Sequence, residues 1–159
     1  MASTIENSTL KVTLTERIVL NGRDQGSTNE LSITDINEVS KRIITVTTTE
    51  SVIATFSSAV ASAGHYVDTD VRYIRFTNKD DTNFITLTFR NQDNDEAAIK
   101  LDAGQSFIWN GDNANGMSAV FNATQDADAA SSTNFGSLTN IQADADTASC
   151  DLEVFIASA

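Results

Sequence analysis

His65 is the single histidine of the chain, and it stands beside Tyr66 and shortly before Asp68 and Asp70. A metal site built on two or more imidazoles is thereby excluded, as is chemistry that passes a proton between two of them. What is left to His65 is a pH-sensitive contact or an ordinary place in a loop or at a strand edge. Cys150 is the single cysteine. It has no partner for an internal disulfide, so nothing marks an oxidising compartment, and its alternating apolar neighbours place it as a buried strand thiol. Carboxylates two residues apart recur at Asp93, Asp95 and Glu96, at Asp126 and Asp128, and at Asp144 and Asp146. Such hard oxygen ligands suit Ca²⁺, but none of these groups fits the helix-flanked twelve-residue calcium loop, and in turns the same spacing serves solvation. As a glycosidase pair they would need a cleft with stacking aromatics, and the chain has one Trp and two Tyr. G-x-S-x-G, P-loop, G-x-G-x-x-G and H-E-x-x-H patterns do not occur, and no serine stands out as a nucleophile. We therefore expect a protein that is not an enzyme, with no catalytic, cofactor-binding or metal-binding residues.

The elements that would position any functional surface are strands. Leu10, Val12 and Leu14 alternate with Lys11, Thr13 and Thr15, then Arg17-Ile18-Val19-Leu20 runs into the turn signal Asn21-Gly22. A strand with a register change midway fits this pattern. Leu31-Ser32-Ile33-Thr34 alternates again, residues 43–49 are rich in β-branched types, and Val52–Phe56 could continue that strand. The small residues from Ser57 to Gly64 read as a loop or one helical turn. From Val71 to Trp109 two or three short strands follow in series, with polar turns between them. Asn110 to Gly116 suits a hairpin connection, Met117 to Phe121 another strand, and Gln125 to Gly136 an exposed loop. The chain ends in a hairpin, Leu138–Ala143 and Ser149–Ile156, with Cys150, Leu152, Val154 and Ile156 on one face.

Eight to ten short strands, turn residues between them and no amphipathic helix predict an all-β fold: an antiparallel β-sandwich, jelly-roll-like. One domain over residues 1–159 suits the length, with residues 1–20 as its first strand or as an N-terminal arm. If it is an arm, Leu10, Val12 and Leu14 are the partner-binding candidates, added as a strand to a neighbour's sheet. Proline is absent. The usual proline guard on edge strands is therefore missing, and charge or a neighbouring subunit must replace it.

The net charge is −12, unevenly spread. All ten Lys and Arg lie in residues 1–100 against fourteen acids, while residues 101–159 hold eight acids and no base. Such a surface disfavours direct contact with nucleic acid or an anionic membrane, because both affinities depend on displaced counterions at Lys and Arg. The polar N-terminus lacks the marks of a signal peptide, and no apolar run reaches membrane-spanning length, so a protein made in a cytoplasm is expected.

Three stretches carry a resemblance: R-Y-I-R-F-T-N-K-D-D-T-N-F-I-T-L-T-F, then L-D-A-G-Q-S-F-I-W, and the closing L-T-N-I-Q-A-D-A-D-T-A-S-C-D-L-E-V-F-I-A. Over residues 71–159 the chain resembles small virion proteins of tailed bacteriophages, especially marine ones, while residues 1–70 match nothing in them. In such proteins the pattern N-x-D-D-x-N followed by L-x-A-G-Q-S-F belongs to the β-sandwich scaffold. The resemblance implies a virion structural component made in the host cytoplasm, foremost a capsid decoration (cement) protein that bridges major capsid subunits. Its partners would be the major capsid protein or other virion proteins, and it would form a homo-oligomer, a trimer being the first to test. A tail-associated or head-fibre protein is the alternative. A carbohydrate-binding module is a further one, for which Tyr66, Tyr73 and Trp109 are the aromatic candidates, although Trp109, between apolar neighbours and an Asn-Gly turn, reads first as core at a strand end.

Overall fold

Alternation along the chain builds strands whose two faces have different fates. The computed structural model describes residues 6–110 and 138–159. Among these the order is β1 (Ser8–Glu16), β2 (Val19–Leu20), β3 (Arg23–Asp24), β4 (Ser27–Ile36), β5 (Glu38–Val46), β6 (Ser51–Ser57), β7 (His65–Val67), β8 (Val71–Asn78), β9 (Ile85–Asn91), β10 (Glu96–Leu101), β11 (Ser106–Asn110), β12 (Leu138–Ala145) and β13 (Cys150–Ser158). No helix occurs among the described residues.

Two sheets form a sandwich, one ordered β10-β9-β12-β6-β7 and the other β11-β8-β13-β5. All pairs are antiparallel except β6 with β7. With the short β7 set aside, the remaining eight strands alternate between the sheets so that first, eighth, third and sixth lie together, opposite second, seventh, fourth and fifth. That is the order of an eight-stranded jelly roll. Between the sheets lies the main core, with Phe76, Ile74, Ile85, Leu87, Ile141, Leu152 and Ile156 fully buried.

Residues 43–56 do not make one strand. β5 ends at Val46 and β6 begins at Ser51 in the opposite sheet, because the Thr47 hydroxyl and the Thr49 backbone exchange hydrogen bonds that turn the chain. Of the Ser57–Gly64 stretch, Ser57 closes β6 and residues 58–64 are loop, not a helical turn. The predicted strand at Met117–Phe121 and the loop at Gln125–Gly136 lie outside the described residues.

Before entering the sandwich the chain makes a separate ribbon. β1 pairs with β4 only, and β2 pairs with β3 around Asn21 and Gly22, whose φ angles of 53° and 74° make the tight two-residue hairpin turn. Between the two ladders the chain crosses closely: a Cβ on Gly26 would sit 2.3 Å from the Glu16 carbonyl oxygen, so this position accepts only glycine. Near the other end of the ribbon Thr34 and Asp35 oppose the single residue Thr9, and Asp35 takes φ 61°. The resulting bulge bends the strand before it continues as β5.

Asparagines hold the connecting turns. The Asn78 amide donates to the carbonyls of Asn83 (2.8 Å) and Leu101 (3.1 Å), and its oxygen accepts from the Asp80 backbone. Asp80 then accepts from the N–H groups of Thr82 and Asn83, which hold its carboxyl below the usual aspartate range. Asn91 repeats the device, accepting from the backbone of Asp93 and Asp95. The N-K-D-D-T-N stretch is thus a tied corner.

A second, smaller cluster of Ile33, Ile36, Tyr73 and Ala157, flanked by Leu10, Val12, Leu31 and Phe155, fastens the ribbon to the outer face of the four-stranded sheet. Ile33 is fully buried there. We expect Ile33→Ala to cost about 2–4 kcal/mol, the usual range for such a truncation. Because this cluster is separate from the main core, the loss should appear as faster hydrogen exchange across residues 8–36 while β8, β9, β12 and β13 keep wild-type protection.

Candidate interaction surface

The outer face of the four-stranded sheet is read directly from its ladders. Side by side across β11, β8, β13 and β5 lie Ser106, Thr77, Glu153 and Ile43, then Ile108, Arg75, Phe155 and Lys41, then Asn110, Tyr73, Ala157 and Val39. The third row is apolar at its centre, and Ile33 and Ile36 of the ribbon pack upon it. The first row is polar and carries an ion-pair network: Arg75 binds Glu153, Lys41 reaches the same carboxylate at 3.7 Å, and Arg75 also donates to Thr77. The Arg75 guanidinium lies 5.8 Å from the centre of the Phe155 ring. Hydrogen bonding from Arg75 holds the Glu153 carboxyl below its usual range, with the Arg75 and Lys41 charges acting the same way. Burial beneath the ribbon raises the Tyr73 hydroxyl pKa, against the opposing pull of Arg75.

From Ile36 outward the ribbon runs across this face towards the β11 edge. Leu10, Val12 and Ile108 share a groove of about 320 Å³ with Tyr73 and Phe155. Next comes a groove of about 350 Å³ bounded by Val12, Leu14, Leu31, Ile108 and Asn110. Beyond β11 the described residues offer the ribbon no further strand to lie on. Exposure rises accordingly: Leu10 and Val12 are half-buried, Leu14 is 51% exposed, and Ile18, Val19 and Leu20 are 55%, 71% and 59% exposed. At about 3.3 Å per residue, the overhang from Leu14 to Leu20 reaches roughly 20 Å. Arg17 and Arg23 flank the apolar tip, and neither forms an ion pair among the described residues.

Compared with protein-family models, with curated proteins and with solved structures, the chain matches none. Its function is therefore argued from this surface and from the remaining candidate residues.

Those residues are dispersed. Tyr66 and Tyr73 are buried, Tyr66 with its hydroxyl 3.0 Å from that of Ser40. Trp109 is half-buried and meets Phe89 and Phe107 edge-on, so none of the three aromatics offers a flat exposed platform. Cys150 is buried at the head of β13, and burial followed by the Asp80, Asp146 and Asp151 charges pushes its thiol pKa up. His65 opens β7, half-buried. Asp93 and Asp95 are engaged in the Asn91 turn, Asp144 has its pKa raised by burial and by Glu50, and Asp126 and Asp128 lie outside the described residues. Among the described residues no three His, Cys, Asp or Glu side chains converge as metal ligands.

Leu10, Val12 and Leu14 are thus neither a strand of the sandwich nor a free arm. They form one side of a docked ribbon, with Leu10 and Val12 largely used in holding it down. The more exposed apolar residues are the neighbouring Ile18, Val19 and Leu20. Their signal in the sequence is the break in alternation, three consecutive apolar residues before Asn21-Gly22, which no single buried face can absorb.

Glu153 makes the electrostatics of this face testable. Folding lowers its pKa, so its stabilising contribution is complete above the unfolded value near 4.5 and is lost as pH falls below that through the folded value. Thermal denaturation should show a shallower fall in Tm below about pH 4.5 for Glu153→Gln than for wild type.

Proposed function

We propose that this chain is a non-enzymatic structural protein of a virion, most specifically a capsid decoration protein that bridges neighbouring major capsid subunits. The observation that carries the reading is the ribbon overhang: a two-stranded finger presenting Ile18, Val19 and Leu20 between Arg17 and Arg23. Large apolar side chains grouped at one projecting tip are the mark of a contact surface. Arg17 and Arg23 there balance Glu16 and Asp24, so the tip is locally neutral on a chain of net charge −12 and meets less repulsion from an acidic partner than the rest would. The sandwich supplies a platform; the finger supplies reach.

Two further points support the reading. The resemblance over residues 71–159 is to small virion proteins, and the jelly roll is an architecture used repeatedly by capsid and lectin domains. The second point is analogy at the level of fold and carries less than the site itself. Burial of Tyr66 and Tyr73 weighs against the lectin side of that analogy. In a decoration role each copy adds interface area at subunit junctions and opposes outward pressure from packaged DNA.

The test is reconstitution. Purified protein is mixed with capsids that lack it, and bound copies are counted by cryo-electron microscopy. Regular occupancy of lattice positions is expected, with the finger in contact with capsid protein. A handful of copies at one vertex would move the protein to the tail or a fibre, and no binding would remove the virion reading. The double variant Val19→Asp, Leu20→Asp should keep the wild-type Tm, since both side chains are exposed, and lose at least about 30-fold in capsid affinity, the effect of removing about 2 kcal/mol at an interface centre.

A further inference from the structure

Away from the ribbon, at the side of the sandwich edged by β5 and β7, an arginine sits over the core without a counter-charge. Arg42 lies on the inward face of β5, in series with Val46 and Ile44, which belong to or pack against the main core, and Ser40, which bonds Tyr66. None of the ion pairs among the described residues includes it, although the chain carries 22 acids against ten bases. Its Nε is buried and has no hydrogen-bond partner. Its Nη2 donates to the carbonyl of Ile53, the extra residue of a bulge in β6: Ile141 faces Ala54 and Gln142 faces Val52, leaving Ile53 out of the ladder. Its Nη1 has no acceptor among the described residues.

The backbone has made room for this guanidinium. Gly64 takes φ +85°, and a Cβ there would stand 3.2 Å from Nη2 and 3.3 Å from Nη1. An open cleft of about 300 Å³ follows, lined by Arg42, Thr55, Gly64 and His65 and walled by the aliphatic Val52 and Ala63. The His65 side chain has no hydrogen-bond or ion-pair partner among the described residues. A cation with an unspent donor, an imidazole and aliphatic walls thus meet in one small cleft, and the buried Nε without a partner is costly.

We propose that this cleft binds a carboxylate carried on a short aliphatic body. Nη1 can give one hydrogen bond to a carboxylate oxygen beside Gly64, which covers the end of the guanidinium, His65 offers a further donor, and the alkyl portion would lie against Val52 and Ala63. The cleft is separate from the ribbon, so the proposal stands or falls independently of the capsid reading.

The test uses the full chain, labelled with nitrogen-15 and titrated with butyrate, with its uncharged analogue butyramide and with inorganic phosphate. Butyrate should give saturable shifts centred on the amides of Gly64, His65 and Thr55, with a Kd below about 10 mM. Butyramide should bind at least about tenfold more weakly. Arg42→Met, which keeps the apolar stem, should abolish the saturable response, and His65→Gln should weaken it several-fold. Equal binding of butyramide, tighter binding of phosphate than of butyrate, non-saturating shifts, or undiminished binding by Arg42→Met would each overturn the proposal. Should Arg42→Met fail to fold, the wild-type comparison of butyrate with butyramide and phosphate, together with His65→Gln, decides it.

Discussion

The four-stranded sheet has to be buried on its inner face and over the Tyr73–Ala157 part of its outer face, and much of the molecule follows from that. Along β8 the inward residues Ile74 and Phe76 go to the main core, but the outward Tyr73 is also buried; along β13 Val154 and Ile156 face inward while the outward Phe155 and Ala157 join the second cluster. One opposing sheet can cover only one of these faces. The other needs a separate cover, and the chain supplies it before the sandwich begins. β4 runs on through the Asp35 bulge into β5, so cover and sheet are covalently adjacent, and the Asn37 amide donates to the Ser158 carbonyl at the corner. Local linkage of this kind keeps the entropy of closing the ribbon onto the sheet small.

Covering an apolar row next to a polar one fixes where charges can sit. The ribbon occupies the row of Tyr73 and Ala157, and the adjoining Arg75, partly sheltered beneath it, is held by Glu153 with Lys41 in support. Such a network in a half-buried place orients the arginine over Phe155 instead of leaving it in water. Exposed pairs such as Lys11 with Glu30 or Lys100 with Asp102 contribute much less, since solvent screens them. The excess of acid elsewhere is used largely in turns, where Asp80 accepts backbone amides. That is why pairs of carboxylates recur in the sequence without making an ion site among the described residues.

Strand positions were legible wherever one face was buried and turn residues stood between. The alternation of β8, β9 and β13, the Asn21-Gly22 hairpin and the closing hairpin all follow from period-two patterning and turn chemistry. What alternation cannot reveal is which surface covers a face. Leu10, Val12 and Leu14 read as a sandwich strand or an arm, and it is the apolar outward residues of β8 and β13 that make them a docked ribbon instead. The join between β5 and β6 was hidden for a different reason: Thr47, Thr48 and Thr49 have strand-like composition, and the turn is made by side-chain hydrogen bonds with neither glycine nor proline. Arg42 was invisible as a site because a charged residue in an alternating strand reads as solvent-facing, whereas its neighbours in sequence place it inward.

The lack of proline leaves four sheet edges to be protected by other means. β7 is three residues long, β5 carries Glu38, Lys41 and Arg42, and β10 carries Glu96 and Lys100. Shortness and charge both discourage pairing with a foreign strand. β11, Ser-Phe-Ile-Trp-Asn, has neither charge nor bulge, and among the described residues it has a strand neighbour on one side only. The same edge is where the ribbon overhangs, so Ile108, Leu14 and the Ile18–Leu20 tip adjoin the least guarded edge of the sandwich. A cover for one of these features is well placed to cover the other. For the structural role we propose, a contact surface is therefore best sought at this edge, where sheet and finger together present backbone and apolar side chains.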